Sequence, residues 1–342
     1  MKVGLIGAGW VVEDLHLPAL AQLADVEVVA VADDDPERLA RVASRVGAAA
    51  MQSPDALLEH PGLDAVGIWL APGAQLDAAR AAIDAGVHVF MEKPLTLDPD
   101  ECDRLAAQAA AAGKQVMLSL PRRFMHLPQR ARALVRSGAI GEVRSVRAVP
   151  AGGGRERLVF PDWDGRHALA GVLYEMGVHH FDLWRWVLGR DIAWVDAHTS
   201  DDGSTAALVA GLTDGVTVSA AFVDATAGVD GLDVFGDRAR LELSCFSFDG
   251  LRLHPASGMA GDPATRLRHG WSTMRALPRG VRTQRSGGLF VDAYRCAWAE
   301  LREAIDAGRP TACTIDDGRH AIDAVRAALR SAAQGGGRVV LR

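Results

Sequence analysis

The chain has 342 residues, 49% of them apolar, and a formal charge of −6 from 37 Lys and Arg against 43 Asp and Glu. That length suits two domains rather than one, and the acidic balance provides no overall basic field for nucleic acid. The four cysteines (Cys102, Cys245, Cys296, Cys313) are scattered and form no C-x-x-C pair, which excludes a zinc module of that kind and points to a reduced, cytoplasmic chain rather than a disulfide scaffold.

"MKVGLIGAG" runs straight into a strand, so no secretory signal is expected, and no apolar run reaches membrane-spanning length. The first third alternates buried strands with helices. Strands are expected at 2–7, 26–33, 63–70, 87–91 and 114–120. Helices are expected at 16–24, 34–46, 74–85 and 99–112, with Asp35 as N-cap and Pro36 at the first position of the second. This alternation predicts α/β architecture: a doubly wound parallel sheet over residues 1–122. "GAGWVV" after the first strand supplies Gly7 and Gly9 of a G-x-G turn, although Val12 stands where a third glycine is usual. Asp33 ends the second strand, where a carboxylate can bind the hydroxyls of an adenosine ribose. Asp34 and Asp35 follow, and three acids would repel a 2′-phosphate. NAD is therefore expected over NADP, with Arg38 and Arg41 nearby as the opposing signal. The fifth strand ends in "MEKPL", which puts Glu92 and Lys93 at the carboxyl edge of the sheet, where open parallel sheets bind ligands.

From residue 123 the pattern changes. A helix over 127–139 leads to a strand at 142–150 and a glycine-rich loop at 151–165. A helix over 169–188 follows, then six strands between 191 and 254 with tight turns, which predicts a mostly antiparallel open sheet with helices on one face. Residues 255–288 carry six arginines and one acid and read as an exposed loop, with a lid, an oligomer arm or an anion-binding loop as alternatives. Two helices, 291–307 and 316–333, close the α+β domain of 123–342, and these helices are expected to pack back on the first domain.

On a regular helix over 173–187, Leu173, Met176, His180, Leu183, Trp184 and Val187 share one stripe, while Glu175, His179, Asp182 and Trp186 share another. His180 then reads as a core histidine. His179 sits between two carboxylates, an arrangement that fixes an imidazole tautomer and raises its basicity. A metal site is disfavoured because no other His/Cys cluster has ligand spacing and H-E-x-x-H is absent. No G-x-S-x-G elbow is present either. Oxidising an alcohol with a nicotinamide cofactor requires a base and a cation for the developing alkoxide. His179 can be the base and Lys93 the cation, in a site formed where the two domains meet.

"GAGWVVEDLHLPAL", "MEKPL", "PRRF" and "GVLYEMGVHHFDLWRWVLG" together resemble the glucose-fructose oxidoreductase / inositol dehydrogenase (Gfo/Idh/MocA) family, and the likeness runs the whole chain. The resemblance implies a Rossmann domain followed by an open-sheet domain whose exposed face often makes a homodimer or homotetramer. It places the family's E-K-P lysine on Lys93 and its D-x-G-x-H motif on Glu175, Gly177 and His179, with Glu in place of Asp. The family's T-P-x-x-x-H becomes "APGAQL". The cofactor contacts implied are Gly7, Gly9, Trp10, Val11, Asp33, Asp34, Leu70, Ala71, Pro72, Glu92, Lys93 and Arg122. The substrate contacts implied are Arg123, Trp163, Glu175 and His179. The expected activity is NAD-dependent hydride transfer with a secondary alcohol or ketone of a sugar, sugar derivative or cyclitol, and no nucleic-acid or membrane partner. A redox-neutral enzyme that uses bound NAD for transient oxidation is the alternative, and a nucleotide-sensing regulatory protein a more distant one. Arg122, Arg123, Arg155 and Arg157 hint at an anionic substrate.

Overall fold

The apolar runs of the first third become strands buried on both faces: Val3, Leu5, Val31, Val66, Ile68, Val89 and Phe90 are inaccessible to solvent. In a computed structural model, which describes residues 1–153, 171–257 and 262–341, they form a six-stranded parallel sheet. Its strands are β1 (Lys2–Ile6), β2 (Glu27–Ala32), β3 (Ala49–Met51), β4 (Ala65–Ile68), β5 (His88–Met91) and β6 (Val116–Leu118), in the order β3-β2-β1-β4-β5-β6. That is the doubly wound order whose strand sequence reverses beside β1. The connecting helices are α1 (Leu17–Leu20), α2 (Pro36–Val46), α3 (Pro54–Leu58), α4 (Pro72–Asp84) and α5 (Pro99–Ala112). Asp35 caps α2 by accepting from the Glu37 and Arg38 amides at 3.0 Å, with Pro36 next. The short β3 and α3 were not among the expected elements.

The second unit begins with α6 (His126–Arg136) and β7 (Val143–Gly153). A wide π turn, Leu173–Gly177, leads into α7 (Val178–Leu188), which ends at Gly189. Strands β8 (Ile192–Thr199), β9 (Thr205–Leu212), β10 (Thr217–Thr226), β11 (Val229–Gly236), β12 (Ala239–Ser244) and β13 (Leu251–Pro255) follow. They pair antiparallel except where β10 lies parallel to β7. Along these strands buried and exposed residues alternate: Val146, Val218, Leu232, Val234, Leu241 and Phe222 face the helices α6 and α7, whereas Val149, Val209 and Phe235 stand on the open face. Among the described residues the sheet therefore has one buried and one exposed face, in line with the open sheet with helices on one face that the tight turns predicted.

Residues 255–288 depart from the expected loop. Pro263–Arg285 is a 23-residue helix, α8, that continues through Pro278. The chain then makes α9 (Leu289–Ala307), α10 (Ile315–Ala333) and the two-residue β14 (Val339–Val340), which pairs with β8. The contacts divide the chain into Met1–Phe124 with Ser286–Ile322, and Met125–Arg285 with Asp323–Arg342. Helix α9 thus belongs to the parallel-sheet unit, where Trp298 stacks on Phe90 with ring centroids 4.6 Å apart and planes 18° from parallel.

Candidate cofactor and active site

The turn after β1 is built for close approach. Gly7 has φ +89°, and a Cβ there would stand 2.3 Å from the Trp69 carbonyl oxygen, so only glycine fits. A Cβ on Gly9 would meet nothing within 4 Å. That open cradle is what a pyrophosphate needs when it seats on the backbone at a helix start. The π turn Val12–His16 follows, with the Val12 and Glu13 amides bonded to the Gly9 carbonyl at 2.9 and 3.1 Å. Trp10 is exposed and Val11 half-buried. At the neighbouring strand end, Leu70 lies beside Gly7, Ala71 is the exposed N-cap of α4, and Pro72 is its first residue.

Asp33 is more firmly tied than the sequence suggested. Its Oδ2 accepts from the Ala8 amide at 2.6 Å, which binds the glycine turn to the end of β2. Its Oδ1 accepts from the Asp35 amide at 2.8 Å and from Arg38 Nε and Nη2 at 3.0 and 2.7 Å. Burial pushes this carboxyl up, but Arg38 and the two amides outweigh burial and hold it below the usual carboxylate range. With a single donor, Oδ2 keeps lone-pair capacity for a ribose hydroxyl. Arg38 is shared among Asp33, the fully exposed Asp34 at 3.2 Å, and Asp35 at 3.6 Å, while Arg41 pairs with Glu13. Both arginines are thus already matched by acids, and the residues present fit a dinucleotide whose adenosine ribose carries free hydroxyls. Asp33→Ala removes charge-assisted bonds worth about 1.5–3 kcal/mol, so NAD is expected to bind about 10–100-fold more weakly. The released Arg38 should narrow the gap to NADP, and titrating both nucleotides into wild type and variant checks it.

Beyond β5, Glu92 is the centre of a polar cluster that sequence reading did not find. Its Oε2 accepts from the Lys93 amide at 3.1 Å, and its Oε1 accepts from the Ser119 hydroxyl at 2.6 Å. The Tyr294 hydroxyl stands at 3.5 Å and His16 Nε2 at 3.7 Å. Gln75 donates to the carbonyls of Glu92 (2.6 Å) and Pro94 (3.0 Å), across the cis Lys93–Pro94 peptide. Trp298 Nε1 donates to His16 Nδ1 at 3.1 Å, which leaves the imidazole proton on Nε2, toward Glu92. Burial pushes the Glu92 carboxyl up, but the facing His16, Ser119 and the Lys93 charge together hold it below the usual range. The backbone that carries Lys93 is thereby fixed from several sides. Glu92 already appeared in "MEKPL", but His16, Ser119, Tyr294 and Trp298 come from segments up to 282 residues apart and carry no shared local motif.

Burial also holds His16 below its usual value, against the opposing pull of Glu92. A histidine depressed in the folded state contributes stability that is fully present above its unfolded value of ~6.5 and is lost as pH falls below it. His16→Gln, which can still accept from Trp298, is therefore expected to flatten the loss of unfolding free energy between about pH 6.5 and 5. Urea titrations of both proteins across that range measure it.

Both arginines of "PRRF" are buried on the turn Pro121–Phe124. Arg122 places its charge near the Tyr294 phenol. Arg123 is committed to Asp317 at 2.8 Å and to the Ala312 carbonyl at 2.7 Å, bonds that anchor the start of α10. Charge-assisted bonds of this kind fix the guanidinium's orientation.

In the second unit, the π turn changes the expected faces. Its i→i+5 bond, from the Val178 amide to the Leu173 carbonyl, adds one residue to the turn and rotates everything before it. Met176 therefore leaves the apolar stripe for a half-buried position, and Gly177 takes its place against Leu173 and Phe181. Glu175 and His179 are both half-buried, and Asp182, one turn on from His179, is buried. His180 is a core histidine, edge-on to Phe222 and 3.6 Å from buried Asp230. Trp163, Arg155 and Arg157 lie outside the described residues. Among the described residues, no group of three or more His, Cys, Asp or Glu side chains is placed to hold a metal ion, and no helix is long and apolar enough to cross a membrane.

Comparison with known proteins agrees with this geometry. Residues 1–120 match the family model described as "Oxidoreductase family, NAD-binding Rossmann fold", and residues 129–242 match the "GFO/IDH/MocA C-terminal domain". A dTDP-3,4-didehydro-2,6-dideoxy-alpha-D-glucose 3-reductase of Saccharopolyspora spinosa is 35% identical over 52% of this chain and 53% of its own length. Inositol 2-dehydrogenase 2 of Saccharopolyspora erythraea is 29% identical over 98% of this chain and 94% of its own. Several of the curated relatives are matched over only 53–59% of their length. An inositol dehydrogenase homologue from Azotobacter vinelandii, solved with NADH and myo-inositol, shares the fold with a TM-score of 0.81 at 22% identity, over 99% of this chain and 97% of that one. With a glycine-cradled Rossmann unit and an open-sheet unit each matched by its own family model, the chain belongs to the Gfo/Idh/MocA oxidoreductase family.

Proposed function

We propose that this protein is an NAD-dependent oxidoreductase that transfers hydride between the nicotinamide and a secondary alcohol or ketone of a sugar, sugar derivative or cyclitol. The observation that carries the reading is Lys93. It follows β5 on a backbone fixed through Glu92 and Gln75, at the sheet edge that also holds the open Gly9 cradle. Relatives named as a sugar reductase and as inositol dehydrogenases support the substrate class. Bound NAD supplies hydride acceptance. The chain's own residues handle the proton and the charge. In this reading the half-buried His179 takes the hydroxyl proton, Glu175 keeps the imidazole basic, and Lys93 holds the oxygen as it becomes an alkoxide. The acid excess at the end of β2 favours NAD over NADP.

The test is a nucleotide titration followed by a screen of polyols, cyclitols, sugars and nucleotide-linked sugars for absorbance change at the nicotinamide band. Thermal stabilisation by NAD together with turnover of one of these alcohols supports the proposal. Stabilisation by no nicotinamide nucleotide, in protein from which none is released on denaturation, would sink it.

A further inference from the structure

Helix α8 is amphipathic in the wrong sense for a surface helix. At about 100° per residue, Leu267, Trp271, Met274, Pro278 and Val281 fall within about 40° of one line, with Leu277 beside them. Its five large apolar side chains, counting Leu277 and leaving Pro278 aside, are 47% to 74% exposed. Roughly opposite lies the face that packs inward, and it is polar or small: Thr265, His269, Thr273, Ala276 and Gly280. Thr273 donates to Asp249 at 2.7 Å, His269 meets His254 with ring centroids 4.8 Å apart, and a Cβ on Gly280 would stand 2.9 Å from Phe248. The helix thus covers the β13 edge with its polar side and turns its apolar side outward.

We infer that this stripe is an interface between two copies of the chain, paired through α8 as a parallel two-helix seam. Three observations select this occupant. The first is the spacing 267, 271, 274, 278, 281, which alternates 4-3-4-3. A stripe of that period is the signature of helix–helix pairing. The second is area. Five half-exposed large side chains make a patch of several hundred Å², the upper end of what a monomer leaves bare. Two such patches with their flanking arginine stems come to on the order of 1,200 Å², the lower bound of a stable specific interface. The third is charge. Arg268, Arg275 and Arg282 repeat every seven residues along one flank. Antiparallel pairing would set this row against itself. Parallel two-fold pairing sets Arg275 and Arg282 against Gly270 and Leu277 of the other copy, which carry no charge. Because the packed face is opposite the seam, the two bodies fall on opposite sides of it.

The inference does not depend on the catalytic reading. Its test uses the full-length protein carrying Cys296→Ser, because Cys102, Cys245 and Cys313 are buried but Cys296 is half-buried. Met274→Cys should form a disulfide-linked dimer under mild oxidation, because a position on a parallel seam meets its own counterpart. Arg266→Cys, on the same helix but off the seam, should not. Trp271→Glu with Met274→Glu should lower the mass measured by light scattering, while thermal melting reports that the fold persists. Absence of the Met274→Cys cross-link, with a mass unchanged by the double variant, overturns the inference, and so does a wild-type monomer. Cross-linking by Met274→Cys without cross-linking by Leu267→Cys or Val281→Cys alone, while a mixture of those two single variants does cross-link, overturns the parallel arrangement, because only a parallel seam sets off-centre positions against their own counterparts. Recovery of wild-type monomer on anionic vesicles would assign the stripe to lipid instead.

Discussion

Replacing Lys93 with methionine is expected to lower kcat about 10²–10³-fold, or about 2.7–4 kcal/mol of barrier, the usual cost of removing one preorganised group from a developing oxyanion. NAD should bind nearly as before, because the Lys93 backbone amide keeps its bond to Glu92 in the variant. Lys93→Arg should recover part of the rate, since it restores charge with a different shape. Steady-state kinetics on an alcohol found by the screen, beside NAD titrations, separate these effects. Full turnover by the methionine variant, with NAD bound, would remove Lys93 from the mechanism while leaving the cofactor reading intact.

The second large effect is expected at His179. His179→Asn should lower kcat about 10²–10⁴-fold, the usual range for a positioned general base. It should also remove the low-pH limb of kcat/KM for alcohol oxidation, because that limb records protonation of the base. Glu175→Gln should be milder and move the limb to lower pH, since a neighbouring carboxylate stabilises the charged imidazolium. Asn in place of His179 with an unchanged pH profile would reassign the base. Full activity of Glu175→Gln with no shift would leave Glu175 a structural residue of the π turn.

Much of the architecture was legible because it depends on short-range periodicity. The parallel strands read as apolar runs, Asp35 and Pro36 announced α2, and the tight turns after residue 191 announced antiparallel pairing. The sequence also carried the Gly7 turn and the family motif around His179. Its failures have physical causes. A 3.6-residue wheel cannot show an i→i+5 turn, so Met176 was put on the wrong face, and helical spacing alone does not report that Asp182 is buried. Helix α8 looked like a loop because Gly270, Pro278 and Gly280 interrupt it and its apolar residues face away from its own fold. The Glu92 cluster was hidden for another reason. His16, Ser119, Tyr294 and Trp298 meet only after the chain has folded through both units.

The return of the chain at Ser286 also sets a timetable for its birth on the ribosome. The first 124 residues contain all six parallel strands but not Trp298, the ring that covers Phe90. The intervening 125–285 stretch takes roughly 10–30 s to translate at ~5–20 residues per second. Throughout that interval the nascent sheet bears an uncovered aromatic surface, and His16 lacks the indole that fixes its proton. The second unit receives its own last piece, Asp323–Arg342, later still. The part of the protein made first is therefore finished only near the end of synthesis.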